Sequence, residues 1–157
     1  MTMAATLRRA LERAGVPYEV LPHPRTATSL ETAEAAHIPG DRLAKSVVLE
    51  DEEGRYVLAV IPATHRLRLG RVSRALQRRL GLATEPELAG LFRDCEPGAV
   101  PPVGEAYGLP TVVDDSLLQE PEVYIEAGDH EDVVHLSGHA FRMLMEQARH
   151  AEISRHL

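Results

Sequence analysis

Lys45 is the only lysine of this 157-residue chain, and its other cationic residues are arginines and histidines. It stands in an apolar segment where strand alternation would place Leu43, Lys45, Val47 and Leu49 on one face. A buried ammonium group is costly unless a partner compensates it. In one interpretation the stem packs at a strand edge while the charge reaches water. In the other, a compact charge in a pocket binds a carbonyl, phosphate or ribose oxygen, a place that the planar guanidinium of arginine would not fit.

A segment rich in proline and glycine, residues 95–104, is the second feature that could do chemistry. Pro101 and Pro102 restrict its backbone, while Gly98 and Gly104 let a ligand approach main-chain N–H groups. Such amides could stabilise an oxyanion. An ordinary surface loop of this composition is the alternative.

Three further residues have reactive side chains in patterns that predict little chemistry. Nothing in the sequence pairs Cys95, the only cysteine, with a base, so we expect a thiol packed in its loop. His135 and His139 have the spacing of a helical metal pair, but Ser137 and Gly138 between them indicate a strand-to-helix junction. We therefore expect neither a metal nor another cofactor.

Arginine is concentrated between positions 65 and 79, where no acidic residue occurs. The residues are Arg66, Arg68, Arg71, Arg74, Arg78 and Arg79. A solvated helix face is one explanation, and contact with a nucleic-acid backbone, above all through Arg71, Arg74 and Arg78, is the other. The net charge of -7 argues against tight nonspecific binding to nucleic acid. It is compatible with a brief encounter through this local basic patch.

The composition is that of an ordinary globular domain, with 44% hydrophobic and 26% charged residues. We expect one domain over residues 1–157, with a core of Leu, Val, Ile and Ala. A single cysteine excludes an internal disulfide and fits a reducing compartment. Residues 1–12 predict an amphipathic helix rather than a signal peptide, and no apolar run approaches the roughly 20 residues of a membrane span. The sequence therefore predicts a cytoplasmic protein without a membrane partner.

Helix signals and hydrophobic periodicity divide the chain into interspersed helices and strands. Helices are predicted over 4–14, from Thr28 to Ala36, from Val72 to Gly81, after the Thr84–Glu87 capping box, and after Ser137 with Phe141, Leu144, Met145 and Ala148 on one side. Strands are predicted at 18–21, 43–49, 56–61, 111–113, 123–127 and 133–136. Short turns require antiparallel pairs, and 43–49 with 56–61 forms a hairpin. The prediction is an α+β fold with a mixed sheet.

Short segments along the chain carry a resemblance to a known family. They are Leu43-Ala44-Lys45-Ser46-Val47-Val48-Leu49, Gly98-Ala99-Val100-Pro101-Pro102-Val103-Gly104 and Ala127-Gly128-Asp129-His130, supported by Tyr18-Glu19-Val20-Leu21-Pro22-His23 and Val113-Asp114-Asp115. In this order and spacing they resemble the YbaK/prolyl-tRNA-synthetase-associated aminoacyl-tRNA editing domains. The resemblance extends from Tyr18 to about Phe141.

The resemblance implies a mixed, partly rolled β-sheet flanked by helices, and hydrolysis of the ester between an amino acid and the 3′ end of tRNA. It places the family's essential lysine on Lys45, its substrate-binding loop on Gly98, Pro101, Pro102 and Gly104, and its histidine on His130. Ser46 and His23 are the further substrate-binding residues expected. The family uses no metal, and the terminal hydroxyl of the tRNA is thought to assist the attack of water.

The sequence therefore predicts a trans-acting deacylase whose partner is the acceptor end of mischarged tRNA. A non-catalytic module that binds an aminoacyl group or a nucleotide is one alternative. An accessory of a synthetase, elongation factor or other factor is another. Ser46 stands where alanine-specific members have Asn, and Pro101 where cysteine-specific members have Ser, so the amino acid, the tRNA and the oligomeric state stay open.

Overall fold

A mixed eight-stranded sheet lies between helices in the computed structural model, which describes residues 3–157. The helices of this part of the chain are α1 (Ala5–Ala14), α2 (Ser29–Ala35), α3 (Leu69–Leu76), α4 (Glu85–Leu91), α5 (Asp115–Leu118) and α6 (Gly138–Leu144), with 3-10 turns η1 (Gly40–Arg42) and η2 (Gly104–Tyr107). The strands are β1 (Glu19–Pro22), β2 (Leu43–Asp51), β3 (Tyr56–Pro62), β4 (His65–Leu67), β5 (Leu80–Leu82), β6 (Thr111–Asp114), β7 (Glu122–Glu126), β8 (Asp132–Ser137), β9 (Arg149–Ala151) and β10 (Ser154–His156). The predicted α+β class with a mixed sheet is confirmed.

The strand order is β1-β8-β7-β2-β3-β6-β9, and β5 also pairs with β2. The pairs β2–β7, β3–β6 and β6–β9 are parallel, and the other pairs of this sheet are antiparallel. Strands β4 and β10 form a separate antiparallel pair. The long strand β2 forms the predicted hairpin with β3, while its other edge contacts β7 near Leu43 and β5 near Asp51. This central strand carries Lys45.

The two faces of the sheet have different cores because side chains alternate along each strand. Ala44 and Val48 of β2 belong to the main core, to which α1 contributes Leu7 and α6 contributes Phe141. The other face has two smaller apolar clusters, one with Ala33 of α2 and one with Val72 of α3. We call this second face the Lys45 face, because Lys45 alternates with Ala44 and so lies on it.

The predicted helix caps are present. The Thr28 hydroxyl accepts a hydrogen bond from the Glu31 amide at 3.2 Å, and Thr84 forms a capping box with Glu87. The Ser137 hydroxyl accepts from the Ala140 amide at 3.0 Å. These side chains satisfy amides that have no partner inside the first helical turn.

The predicted end of the third helix at Gly81 is wrong. Helix α3 ends at Leu76, because Gln77 has a left-handed backbone with φ 54. The chain then turns back, and Gly81 lies in β5 opposite Glu50 of β2. Helix α6 is likewise shorter than the side-chain pattern indicated and ends before Ala148. Within residues 3–157 no helix combines the length and apolarity that crossing a membrane requires.

Candidate active site

Lys45 lies on β2 between the two apolar clusters of the Lys45 face. Leu43 belongs to the cluster under α2, and Val47 to the cluster under α3. The Lys45 side chain is half-buried, and Nζ donates a hydrogen bond to the carbonyl oxygen of His65 at 3.3 Å. Burial lowers the pKa of the Lys45 ammonium group. An ammonium group has three donors, so two are left for a ligand.

Glu126, at the end of β7, is an acidic residue on the same face that the sequence analysis did not single out. The parallel register pairs Leu43 with Tyr124 and Ala44 with Ile125, and one further step sets Lys45 beside Glu126. Neighbouring strands lie about 4.8 Å apart. Lys45 and Glu126 nevertheless form no ion pair within 4.0 Å in the described residues. The signal available in the sequence was an acid directly after the apolar run 123–125.

The carboxyl group of Glu126 is deeply buried, since the residue is 5% exposed. Burial raises its pKa to about 7, the hydroxyl of Thr32 acts in the opposite direction, and the charge of Asp129 adds to the rise. Its Oε2 atom has no hydrogen-bond partner within residues 3–157. Glu126 is therefore a buried group that can accept a hydrogen bond from a ligand.

His130 lies in the turn after β7 with a left-handed backbone, φ 62. A residue with a side chain adopts this conformation at a cost, which often marks a functional position. Its Nε2 faces the carbonyl oxygen of Pro97. A carbonyl only accepts, so Nε2 carries the proton and Nδ1 of the neutral ring is an acceptor. The ring also lies against Gly98, where an added Cβ would be 3.6 Å from Cε1.

The loop around Gly98 is tied to this turn and to the segment after β1. The Glu96 amide donates to the Gly128 carbonyl oxygen at 2.8 Å, and Arg25 pairs with the Glu96 carboxylate at 2.7 Å. Within residues 3–157, the amides of Gly98 and Val100 donate no hydrogen bond. These two N–H groups are candidate donors to a ligand.

His23 follows β1 and is 8% exposed. Its Nδ1 donates to the Pro24 carbonyl oxygen at 2.7 Å, whereas its Nε2 is buried without a partner in the described chain. The Thr26 amide donates to the His130 carbonyl oxygen at 3.3 Å, and the Thr26 hydroxyl is 2.6 Å from that of Thr32. The segment after β1 therefore connects the His130 turn with Thr32 and Glu126.

Two of the predicted substrate-binding residues do not join this group. Ser46 lies on the opposite face of β2, since its partner Val60 belongs to the main core. An added Cβ at Gly104 would clash with the hydroxyl of Thr111, so this glycine is required for packing. Pro101 and Pro102 are buried in the loop that presents Gly98. Contacts within the described residues connect His23, Gly98 and His130 around the turn after β7, and Lys45 on β2 lies next to the register pair that precedes Glu126.

Cys95 packs beside this loop and lacks the features of a nucleophile. Its Sγ atom lies 3.2 Å from the Tyr107 hydroxyl, and an added Cβ at Gly128 would be 3.3 Å from it. Burial raises the pKa of the Cys95 thiol to about 12. Because the thiolate is the reactive form, this environment supports the packing interpretation.

The two histidines with helical metal-pair spacing lie in different surroundings. His135 in β8 contacts Glu19 at 2.8 Å and Glu122 at 3.2 Å, and its ring stacks on Tyr124. His139 is exposed on α6. In the part of the chain that the structure describes, no group of three or more His, Cys, Asp or Glu side chains is arranged to hold a metal ion.

The arginine segment shares the Lys45 face, because Val72 of α3 packs into one of its clusters. Arg71 lies 3.5 Å from Glu152, and Arg78 lies 3.7 Å from Asp51. Arg74 is exposed and makes no ion pair within residues 3–157. Part of the basic charge is thus neutralised locally, and Arg74 is the one of these three left for an external anion.

A cavity of about 280 Å³ lies away from Lys45, between α1, η2 and residues 143–148. Thr111, which lines it, alternates with Val112 and so faces the main core rather than the Lys45 face. We therefore assign the candidate site by its polar groups and not by this cavity. Lys45 and the loop amides can stabilise a developing negative charge on an oxygen, while Glu126 can hold a positive one.

Comparisons with known proteins agree with this fold. A profile of the aminoacyl-tRNA editing domain family matches residues 23–144. The chain belongs to this aminoacyl-tRNA editing domain family. A search of curated proteins gave no match.

Solved structures share the fold over nearly the whole chain. A candidate trans-editing enzyme for prolyl-tRNA synthetase is 30% identical, with a TM-score of 0.82 and coverage of 97% of this chain and 96% of that one. A scaffold protein used for computational epitope grafting is 29% identical, with a TM-score of 0.83 and coverage of 97% of each chain. A hypothetical protein at 24% identity, with a TM-score of 0.84 and coverage of 96% and 99%, shows the fold alone.

Proposed function

We propose that the chain is a trans-acting deacylase that hydrolyses the ester of mischarged tRNA, with Lys45 as its central residue and without a metal. One observation carries the proposal. The only lysine of the sequence lies half-buried between two apolar clusters, with one hydrogen bond to a carbonyl oxygen and no ion pair in residues 3–157. This leaves a point charge available to a substrate oxygen.

Hydrolysis adds water to the ester carbonyl carbon and then breaks the bond to the ribose oxygen. The oxygen of the carbonyl becomes negative as water adds, and Lys45 with the amides of Gly98 and Val100 would stabilise that charge. The ribose oxygen leaves with a proton from the water, which yields the free amino acid and the uncharged tRNA. Such a step needs an oriented water and charge stabilisation rather than a covalent enzyme intermediate.

The resemblance between this chain and a candidate trans-editing enzyme for prolyl-tRNA synthetase suggests which tRNA to test first. We propose the proline tRNA carrying a wrong amino acid as the initial substrate, and a transient encounter with that synthetase. Arg74 on α3 would contact the tRNA backbone. We also propose that residues 1–157 work as one domain.

The direct experiment is a deacylation panel of proline tRNA charged with alanine, cysteine, serine or threonine, with and without EDTA. We expect faster hydrolysis than in buffer for at least one ester, and the same rate in EDTA. Binding of these esters without hydrolysis would indicate a non-catalytic module instead. Loss of the rate in EDTA, with recovery on adding one divalent metal, would contradict the metal-free mechanism.

A further inference from the structure

We propose that Glu126 binds the α-ammonium group of the aminoacyl moiety, so that the site takes esters with a free amine and discriminates against esters whose amine is absent or acylated. The proposal rests on the deacylase function proposed above. It adds the residue that recognises the amine of the aminoacyl group, which the family assignment does not give.

The first observation is a buried acceptor without a donor. Glu126 is more than nine-tenths buried, and its Oε2 lacks a hydrogen-bond partner in the described chain. Buried polar groups are nearly always paired, and leaving one unpaired is costly. A ligand that brings a charged donor would satisfy this atom, and an ammonium group is such a donor.

The second observation is that Lys45 does not donate a hydrogen bond to Oε2 of Glu126. Lys45 and Glu126 are the residues that directly follow the last register pair of β2 and β7, Ala44–Ile125. Nζ of Lys45 nevertheless donates to the carbonyl oxygen of His65, the first residue of β4. Strand β3 flanks β2 on the edge opposite to β7. Lys45 is therefore turned towards the β3 side of β2 and does not neutralise Glu126.

An aminoacyl ester has two charges that are complementary to Lys45 and Glu126. Its carbonyl oxygen becomes negative during hydrolysis, and its ammonium group is attached to the neighbouring carbon. The spacing of adjacent strands, about 4.8 Å, is short enough for one aminoacyl group to reach both side chains. Lys45 would hold the oxygen, and Glu126 would hold the amine.

The surroundings of Glu126 fit an ammonium ligand. Nε2 of His23 is a second buried atom without a partner in residues 3–157, and it lies at the same end of the sheet. The neighbouring carboxyl group of Asp129 is only partly engaged, because its Oδ1 accepts from the amides of Glu131 and Asp132 at 3.0 and 2.9 Å, whereas its Oδ2 is also buried without a partner in residues 3–157. Of these two acids, Glu126 is the one that directly follows the β2–β7 register pair Ala44–Ile125 next to Lys45, and we therefore assign the amine to Glu126.

The experiment uses matched esters and the Glu126→Gln variant. The aminoacyl-tRNA that the wild type hydrolyses fastest is compared with its 2-hydroxyacyl counterpart and with its N-acetyl derivative. We expect the wild type to prefer the free amine by about 10- to 100-fold in kcat/KM, the range for a hydrogen bond between charged groups. Glu126→Gln should lose this preference while hydrolysing the hydroxyacyl ester within about threefold of wild type.

Other outcomes would overturn the proposal. If a folded Glu126→Gln variant lost the same factor in kcat/KM for the aminoacyl ester and for the 2-hydroxyacyl ester, Glu126 would act in the chemical step or in the structure of the site. Equal hydrolysis of all three esters by the wild type would show that the amine is not recognised, a result that does not depend on the variant folding. If no ester is hydrolysed, the proposed deacylase function fails and this proposal falls with it.

Discussion

Glu126 is buried, and burial is the main reason that its pKa rises to about 7 from an ordinary value of 4.5. The unfolded chain therefore releases this proton at a lower pH than the folded chain does. Between about pH 4.5 and 7 the folded state binds more protons, so stability falls as pH rises through this range. Below about pH 4.5 Glu126 is protonated in both the folded and the unfolded state, and its ionisation no longer lowers the stability.

Replacing Glu126 by Gln should remove this pH dependence. At pH 8 we expect Glu126→Gln to be more stable than wild type by up to about 3 kcal/mol. The difference should shrink towards pH 5. Urea unfolding of both proteins at pH 5, 6, 7 and 8 measures it. A constant difference over this range would mean that the carboxyl group titrates normally in the folded protein.

The environment of Cys95 argues against covalent catalysis, because burial raises the pKa of its thiol to about 12. Cys95→Ser should therefore keep the deacylation rate within about tenfold of wild type, since the thiol only packs in its loop. Single-turnover hydrolysis, with a thermal melt to show folding, is the measurement. A thousandfold loss in a folded variant would point to a covalent intermediate.

At the scale of elements, α3 and α1 differ in the face of the sheet that they cover. Val72 of α3 packs on the Lys45 face, whereas Leu7 and Leu11 of α1 pack into the main core on the other face. Both helices carry exposed arginines. Three arginines of α1 can therefore serve as a control for the three arginines in and directly after α3.

Replacing Arg71, Arg74 and Arg78 by Gln should raise the KM for tRNA and flatten its salt dependence. The rate of the chemical step should stay nearly constant, because phosphate contacts position the substrate without reacting.

The control for this variant replaces Arg8, Arg9 and Arg13 of α1, which removes the same charge from the opposite face. It should leave KM and the salt slope close to wild type. Steady-state deacylation from 50 to 200 mM salt compares the two. If KM and the salt slope change equally in both variants, binding of the tRNA depends on the net charge of the protein rather than on the arginines of α3.

Some helices and strands were predictable from the sequence, and others were not. Segments with a clear period or cap, such as Leu43–Asp51 and Ser29–Ala35, were predictable from alternation and from Thr28. The four strands β4, β5, β9 and β10 were not, because each has three residues. A three-residue strand shows no period, and its pairing depends on distant segments.

At the scale of the whole molecule, the order of the motifs predicted the fold and the family, but side-chain direction needed the structure. Lys45 and the Gly98 loop were singled out by residue type and spacing, and His130 by the family resemblance alone; their roles in the site stay predictions. Ser46 follows Lys45 in sequence and faces the other way, because alternate residues of a strand point to opposite faces. Glu126 was missed, because its position near Lys45 depends on the pairing of β7 with β2, and these two strands are far apart in the sequence.

Charge is also distributed unevenly over the molecule. The net charge is -7, yet the arginines of α3 and the only lysine share one face of the sheet. A polyanionic substrate would be repelled by much of the surface and attracted to this face. Binding through a few phosphate contacts is weak and reversible, as the proposed deacylase function requires.

The central claim is that Lys45 provides a point charge to the substrate. The most direct measurement is single-turnover deacylation by wild type, Lys45→Ala and Lys45→Arg, with a thermal melt of each. We expect Lys45→Ala to abolish hydrolysis and Lys45→Arg to lose at least about a hundredfold, since removing one such donor costs about 2.7–4 kcal/mol and a guanidinium spreads its charge over a planar group. A folded Lys45→Arg protein that works within about tenfold of wild type would contradict the claim and make Lys45 a generic cation.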